Sequence, residues 1–217
     1  MWSFIPQLFY DFLARIVPGS VLMVLTAVII FGPGDFDSCS LSSLEKVEQL
    51  TFVRVSIWVL EAYLIGFILG QVSEMTLRRL LKKKFKKIGK ECKARCLKQH
   101  NRIAEALGRP TLRITADDLP QIHSMRNHLR HVNPADAARL LKLRAERRLC
   151  EVLIVGFSVL WPIDLILLLF ETNAERVILI ILLPVLTIIL WKRVLRAHGN
   201  LVNGITIGWL FRIPYKL

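Results

Sequence analysis

The residues most capable of chemistry lie in one stretch, RRLLKKKFKKIGKECKARCLKQH, residues 78–100. Cys92, Cys96 and His100 follow each other at i, i+4 and i+8, which sets three soft ligands along one face of a helix. Structural zinc sites instead use paired C-x2-C knuckles, and three ligands spread over two turns cannot all reach one tetrahedral ion without a kink or a partner helix. His123, His128 and His131 are the residues that would complete such a set. The spacing therefore reads as a helix–helix seam, with Cys92, Cys96 and His100 only weak metal candidates, and no metal or cofactor is expected.

The same stretch is strongly basic: eleven of its 23 residues are Lys or Arg, and Glu91 is its one acid. Next to an apolar run, residues 78–87 read as a membrane stop signal whose lysines meet anionic lipid, each worth about 1 kcal/mol near the surface. Further along, Lys90, Lys93, Arg95, Lys98 and Arg102 continue the charge, and Arg126 and Arg130 return to it. At 1.5 Å per residue, Arg102 lies about 35 Å beyond residue 78, several Debye lengths of about 8 Å. Lipid does not account for charge at that distance, so these residues are candidates for binding nucleic acid, a nucleotide or other phosphate-bearing ligand, or an acidic protein. Phe85 is the single ring in the stretch, which disfavours a base-stacking platform.

A third set is polar within apolar runs: Arg54, Glu61 and Asp164. Charges at mid-membrane cost at least about 2.5–3.5 kcal/mol each, so they face a bundle interior or a wet cavity. Arg54 and Asp164 fall at similar depths and are expected to form a structural pair; Glu61 is left unpaired, or protonated, near the midplane, where it can line a polar path at the centre of an oligomer. Gly66 and Gly70 form a GxxxG face that lets another helix approach closely. No P-loop, nucleophile elbow, H-E-x-x-H or catalytic carboxylate pair occurs, so the chain is not expected to be an enzyme.

These residues need elements to carry them, and composition supplies those. The chain of 217 residues is 53% hydrophobic yet carries a formal net charge of +13. The two properties are segregated. Four apolar runs, 12–31, 50–72, 149–170 and 177–191, are read as spanning helices against the roughly 20 residues that a bilayer core of about 30 Å requires; the fourth is short and is accommodated by tilt or local thinning. Asp11 and Arg15, and the lack of a small-x-small site, argue that the first is a retained helix and not a cleaved signal. Residues 78–148 hold 21 basic and six acidic residues, the tail from 192 holds five basic and no acidic ones, and residues 32–48 are net negative. By the positive-inside rule both termini and the 78–148 block are cytoplasmic. Cys92, Cys96 and Cys150 then belong to a reducing compartment, and Cys39 stands alone outside.

Residues 73–107 contain no breaker but Gly89, so the second span is expected to run on into the insert until Gly108-Arg109-Pro110 stops it. Thr115 with Asp118 is an acidic capping box that predicts a helix over 116–131, and Asn133-Pro134 with Asp136 starts the helix leading into the third span. The tail NLVNGITIGWLFRIPYKL, broken by Gly204, Gly208 and Pro214, reads as interfacial, with a re-entrant segment as the alternative. The expected fold is all-α: a four-helix transmembrane bundle with helices 2 and 3 extended into a basic helical insert. Its divisions are 1–72, 73–148, 149–191 and 192–217.

The order FYDFLARIVPGSVLMV, then LIGFILGQVSE, then a basic insert and a second apolar pair is similar to small multi-pass bacterial inner-membrane subunits of antiphage defence systems. Examples are the four-helix membrane component of Kiwa and the membrane effectors of retron and CBASS operons. The resemblance implies a role in sensing or disrupting the membrane beside a cytoplasmic partner that handles nucleic acid or nucleotide; it carries no site residues with it. The resulting expectation is a non-enzymatic sensor or effector subunit of the inner membrane, homo-oligomeric through helix 2, in contact with the lipid bilayer and a cytoplasmic protein. A small ion or solute channel centred on Glu61, and a scaffold for an acidic or nucleic-acid-binding partner, are the alternatives.

Overall fold

A computed structural model describes residues 4–31, 48–109, 111–132, 134–170 and 174–211. Among the described residues five helices follow in order: α1 Phe4–Phe31, α2 Glu48–Ala106, α3 Ile122–Val132, α4 Pro134–Leu168 and α5 Ala174–Leu210. No strand occurs among the described residues. Four of the helices, α1, α2, α4 and α5, are long and apolar enough to cross a membrane, as the hydropathy pattern requires of a multi-pass membrane protein.

The chain divides into two compact units. The first, Asp11–Leu77 with Arg148–Arg193, contains the apolar spans. Its core joins Leu22 and Ile29 of α1, Phe157 and Leu160 of α4, and Leu183 of α5. Small residues let the backbones meet: a Cβ on Gly19 would strike the Ala62 carbonyl oxygen, one on Gly66 the Arg15 carbonyl oxygen, and one on Gly156 the Leu22 side chain. The hydroxyls of Thr26, Ser158 and Thr187 donate to carbonyls four residues back, at 2.7, 2.7 and 2.8 Å, so they ask nothing of a lipid surrounding. Pro184 cannot donate to the Ile180 carbonyl as a helical residue would. That carbonyl instead accepts the indole N–H of Trp161, at 3.1 Å.

The second unit takes in Arg78–Arg147 and the α5 residues from Val194. Here α2 ends in a glycine cap: Gly108, at φ 63°, lets Arg109 N donate to Ala104 O and Gly108 N to Glu105 O. The chain then folds back on α2, pinned by Asn101, whose side chain both donates to Leu112 O (3.0 Å) and accepts from Leu112 N (3.1 Å). Thr115 and Asp118 do meet, but one-sidedly: Thr115 N and Oγ1 both donate to Asp118 Oδ2 at 2.8 and 2.6 Å, while Asp118 N donates to the Thr115 carbonyl (3.2 Å) and not to its hydroxyl. The helix nevertheless begins only at Ile122. Pro120 drives Leu119 out of the helical region, so the capped turn closes without propagating. Pro134 begins α4 as predicted; Asn133 is outside the described residues.

Through Leu210 the tail is the helical continuation of α5, unbroken at Gly204 and Gly208, with Val194, Val202, Ile205 and Leu210 buried. Its glycines serve packing. Leu140 lies 3.2 Å from the Cβ position of Gly204, and Leu129 lies 3.1 Å from that of Gly208. Residues 212–217 lie outside the described residues.

Candidate functional site

The spacing of Cys92 and Cys96 turns both thiols to α5. Cys92 Sγ donates to Gly199 O at 3.8 Å, and Cys96 Sγ donates to Asn203 Oδ1 at 2.7 Å. Burial, with Cys92 as neighbour, pushes the Cys96 thiol up from its ordinary range. His100 is also buried, edge-on to Phe211 at 5.6 Å. The three residues thus line a packed seam. Among the described residues no cluster of three His, Cys, Asp or Glu is arranged to hold a metal ion.

The predicted cationic residues divide by what they already hold. Lys90 pairs with Asp117 at 3.0 Å, and both are well exposed, so the pair stabilises little. Lys93 donates to the carbonyls of Leu119 and Pro120 at 3.3 and 3.0 Å, fixing the returning loop, and partial burial lowers its ammonium from the usual lysine range. Arg95 turns back along its own helix to Glu91 O (3.4 Å) and Cys92 Sγ (3.8 Å). Arg126 is half-buried and engaged within the fold. The side chain of Arg130 lies outside the described residues.

Lys98 and Arg102 are different. They sit one turn apart on α2, exposed, and neither makes a hydrogen bond or ion pair among the described residues. Together with Leu97, Asn101, Glu105 and Ala116 they line an open cleft of about 430 Å³ between α2 and the returning loop.

Family models, curated proteins and solved structures offer no match to the chain. The cleft is therefore read from its own geometry. Its two cations are exposed to solvent, Ala94, Leu97 and Ala116 add apolar surface, and Glu105 partly offsets the charge. Such a lining can hold an anionic group beside an apolar one, and it has no nucleophile or acid–base pair.

Sequence reasoning missed a second cluster in the same unit. His198 of α5 stacks on Phe85 of α2 with centroids 4.2 Å apart, and Arg147 of α4 meets it, Nη1 to Nδ1, at 3.1 Å. The Arg147 guanidinium also lies 5.5 Å from the Phe85 centroid. Burial and then the Arg147 charge depress the His198 imidazole to about 4. The residue stands seven positions past the apolar run, and nothing in its neighbours along the chain announces two partners so distant in sequence.

In the apolar unit, Asp164 is fully buried, and both carboxylate oxygens lack a hydrogen-bond partner among the described residues. Arg176 is the charged residue felt there, though its own Nη1 donates to Leu167 O at 3.0 Å and closes the end of α4. Arg54, the expected partner, lies on α2 with its side chain outside the described residues. Gly66 and Gly70 do face helices, but these are the chain's own: Gly66 meets α1 at Arg15, and Gly70 meets Val152 of α4 at an ordinary 3.8 Å. Arg15 was also missed as an intramembrane cation; it donates to Tyr63 Oη at 2.5 Å and lies over the Tyr63 and Phe67 rings, 5.4 and 4.9 Å from their centroids. Glu61 is exposed on the outer side of α2.

Proposed function

We propose that the chain is a non-enzymatic, oligomeric subunit of a bacterial inner-membrane defence complex that couples a cytoplasmic partner to the bilayer. Both termini and the basic insert face the cytoplasm in this reading. The observation that carries it is the uncommitted pair Lys98 and Arg102 on an open cleft, in the same unbroken helix α2 that includes an apolar span. Lipid is too far along the helix to claim these charges, and no acid among the described residues pairs with them.

The partner favoured is an acidic protein segment. The cleft offers Leu97, Ala94 and Ala116 beside the two cations, a mixture suited to a peptide carrying acidic and apolar side chains. Phe85, the one Phe, Trp or Tyr ring in the basic stretch, is engaged by His198. Binding there biases the position of α2, and the helix transmits the bias toward its apolar half. Expression in a bacterial host followed by phage challenge tests the reading. Phage survival or dye entry into the host should change with the wild-type chain and return to the control level with K98E/R102E. A monomeric purified protein together with unaltered permeability and phage survival would remove it.

A further inference from the structure

Six exposed residues of α2 share one face by their spacing: Ile57, Glu61, Leu64, Ile68, Gln71 and Met75. Their spacing alternates four and three, which is the 3.5-residue period of a left-handed coiled-coil seam. An apolar stripe with this spacing is by itself only a surface for lipid to cover. Glu61 and Gln71 make the difference. Neither has a hydrogen bond or ion pair among the described residues; Glu61 stands near the middle of the apolar run 50–72, where a polar group needs a partner, and Gln71 stands at its cytoplasmic end. A charged residue left facing lipid at mid-span carries the cost of about 2.5–3.5 kcal/mol given for Asp on insertion scales. The GxxxG face cannot serve, because α1 and α4 occupy it.

We propose that this stripe is the contact between copies of the chain, with α2 helices packed in parallel along residues 57–75. Copies inserted in one orientation bring each seam residue opposite its own counterpart. The Gln71 amide carries donors and acceptors, so two copies satisfy each other, and each Glu61 meets its own counterpart in the same seam and not hydrocarbon. An unlike partner would have to supply matching groups at both depths, and a second copy does so by symmetry. Polar residues at seam positions also fix register and copy number, as a buried Asn does in soluble coiled coils. The Glu61 layer is then a site that one chain leaves incomplete.

The proposal deepens the oligomeric reading above and rests on α2 crossing the membrane, but not on the partner cleft. Single cysteines at seam and off-seam positions test it, placed in the full chain in native membranes on a Cys39→Ser background and oxidised with copper phenanthroline. L64C, I68C and M75C should give disulfide dimers several-fold above background. V55C and T76C, exposed on a different face of α2, should stay at background, as should the native thiols Cys92, Cys96 and Cys150, which are buried. Equal dimer yield on and off the seam, or background yield throughout, would overturn the proposal and leave the stripe to lipid or to an unlike subunit. The same dimers should persist when K98E/R102E is added, so loss of partner binding and loss of the seam are read separately.

Discussion

Gly66 of α2 lies directly against the backbone of Arg15 in α1, with room for a hydrogen but none for a methyl group. Gly70, one turn further on, has only Val152 Cγ2 near it, at 3.8 Å. The two halves of one GxxxG motif therefore carry different loads.

Replacing Gly66 with Ala should force α1 and α2 apart and destabilise the apolar unit by roughly 1–3 kcal/mol, the usual cost of overpacking. Gly19→Ala, which meets the Ala62 carbonyl, should do the same. Gly70→Ala should be neutral or slightly stabilising, since Ala is the better helix former by about 0.8–1.0 kcal/mol. Thermal unfolding in detergent ranks the three. A Gly70 variant as damaging as the Gly66 one would contradict the packing described.

His198 makes the basic unit sensitive to acid. Its folded-state pKa of about 4 lies below the ordinary 6.5, so the unfolded chain takes up a proton between those values that the folded chain does not. Stability is thus complete above about pH 6.5 and falls as pH drops toward 4. The loss is on the order of 1–3 kcal/mol once the partial exposure of the ring is discounted. The melting temperature of H198Q should fall less than that of wild type across this window; equal slopes would exclude His198 as the cause.

Much of the architecture was legible because it depends on neighbours. Hydropathy marked four spans, Gly108 marked the end of α2, and Pro134 marked the start of α4. The i, i+4 spacing of Cys92 and Cys96 marked a seam, though not its partner α5. What stayed hidden depends on distant residues. Gly204 and Gly208 read as breaks in a tail, yet they are the small positions that admit Leu140 and Leu129. Lys90, Lys93, Lys98 and Arg102 have similar neighbours along the chain; only the returning loop, with Asp117, Leu119 and Pro120, separates the committed cations from the uncommitted pair. That Glu61 is polar within a span was visible, but the side it faces depends on where α1 packs.

The buried thiols give a third prediction. Cys92, Cys96 and Cys150 should react slowly with a maleimide in native membranes and fully after denaturation. Rapid labelling of Cys96 in the folded protein would mean that α2 and α5 part at the Asn203 contact.

Glu61 also separates the main reading from a channel. In liposomes, E61Q should leave ion flux at the wild-type level if the residue serves assembly, because the carboxamide keeps a donor and an acceptor for the seam. A large change in flux, about tenfold or more (roughly 1.4 kcal/mol in a barrier), would favour a conducting path through the Glu61 layer.

The central claim, that Lys98 and Arg102 receive a partner, is tested most directly by recovering the assembly in mild detergent and weighing it. Wild-type chain should carry an added protein mass that survives nuclease treatment and is lost with K98E/R102E, while K90E, whose charge is already met by Asp117, retains it. The same mass with and without K98E/R102E, or an added mass that nuclease and salt remove, would contradict the account.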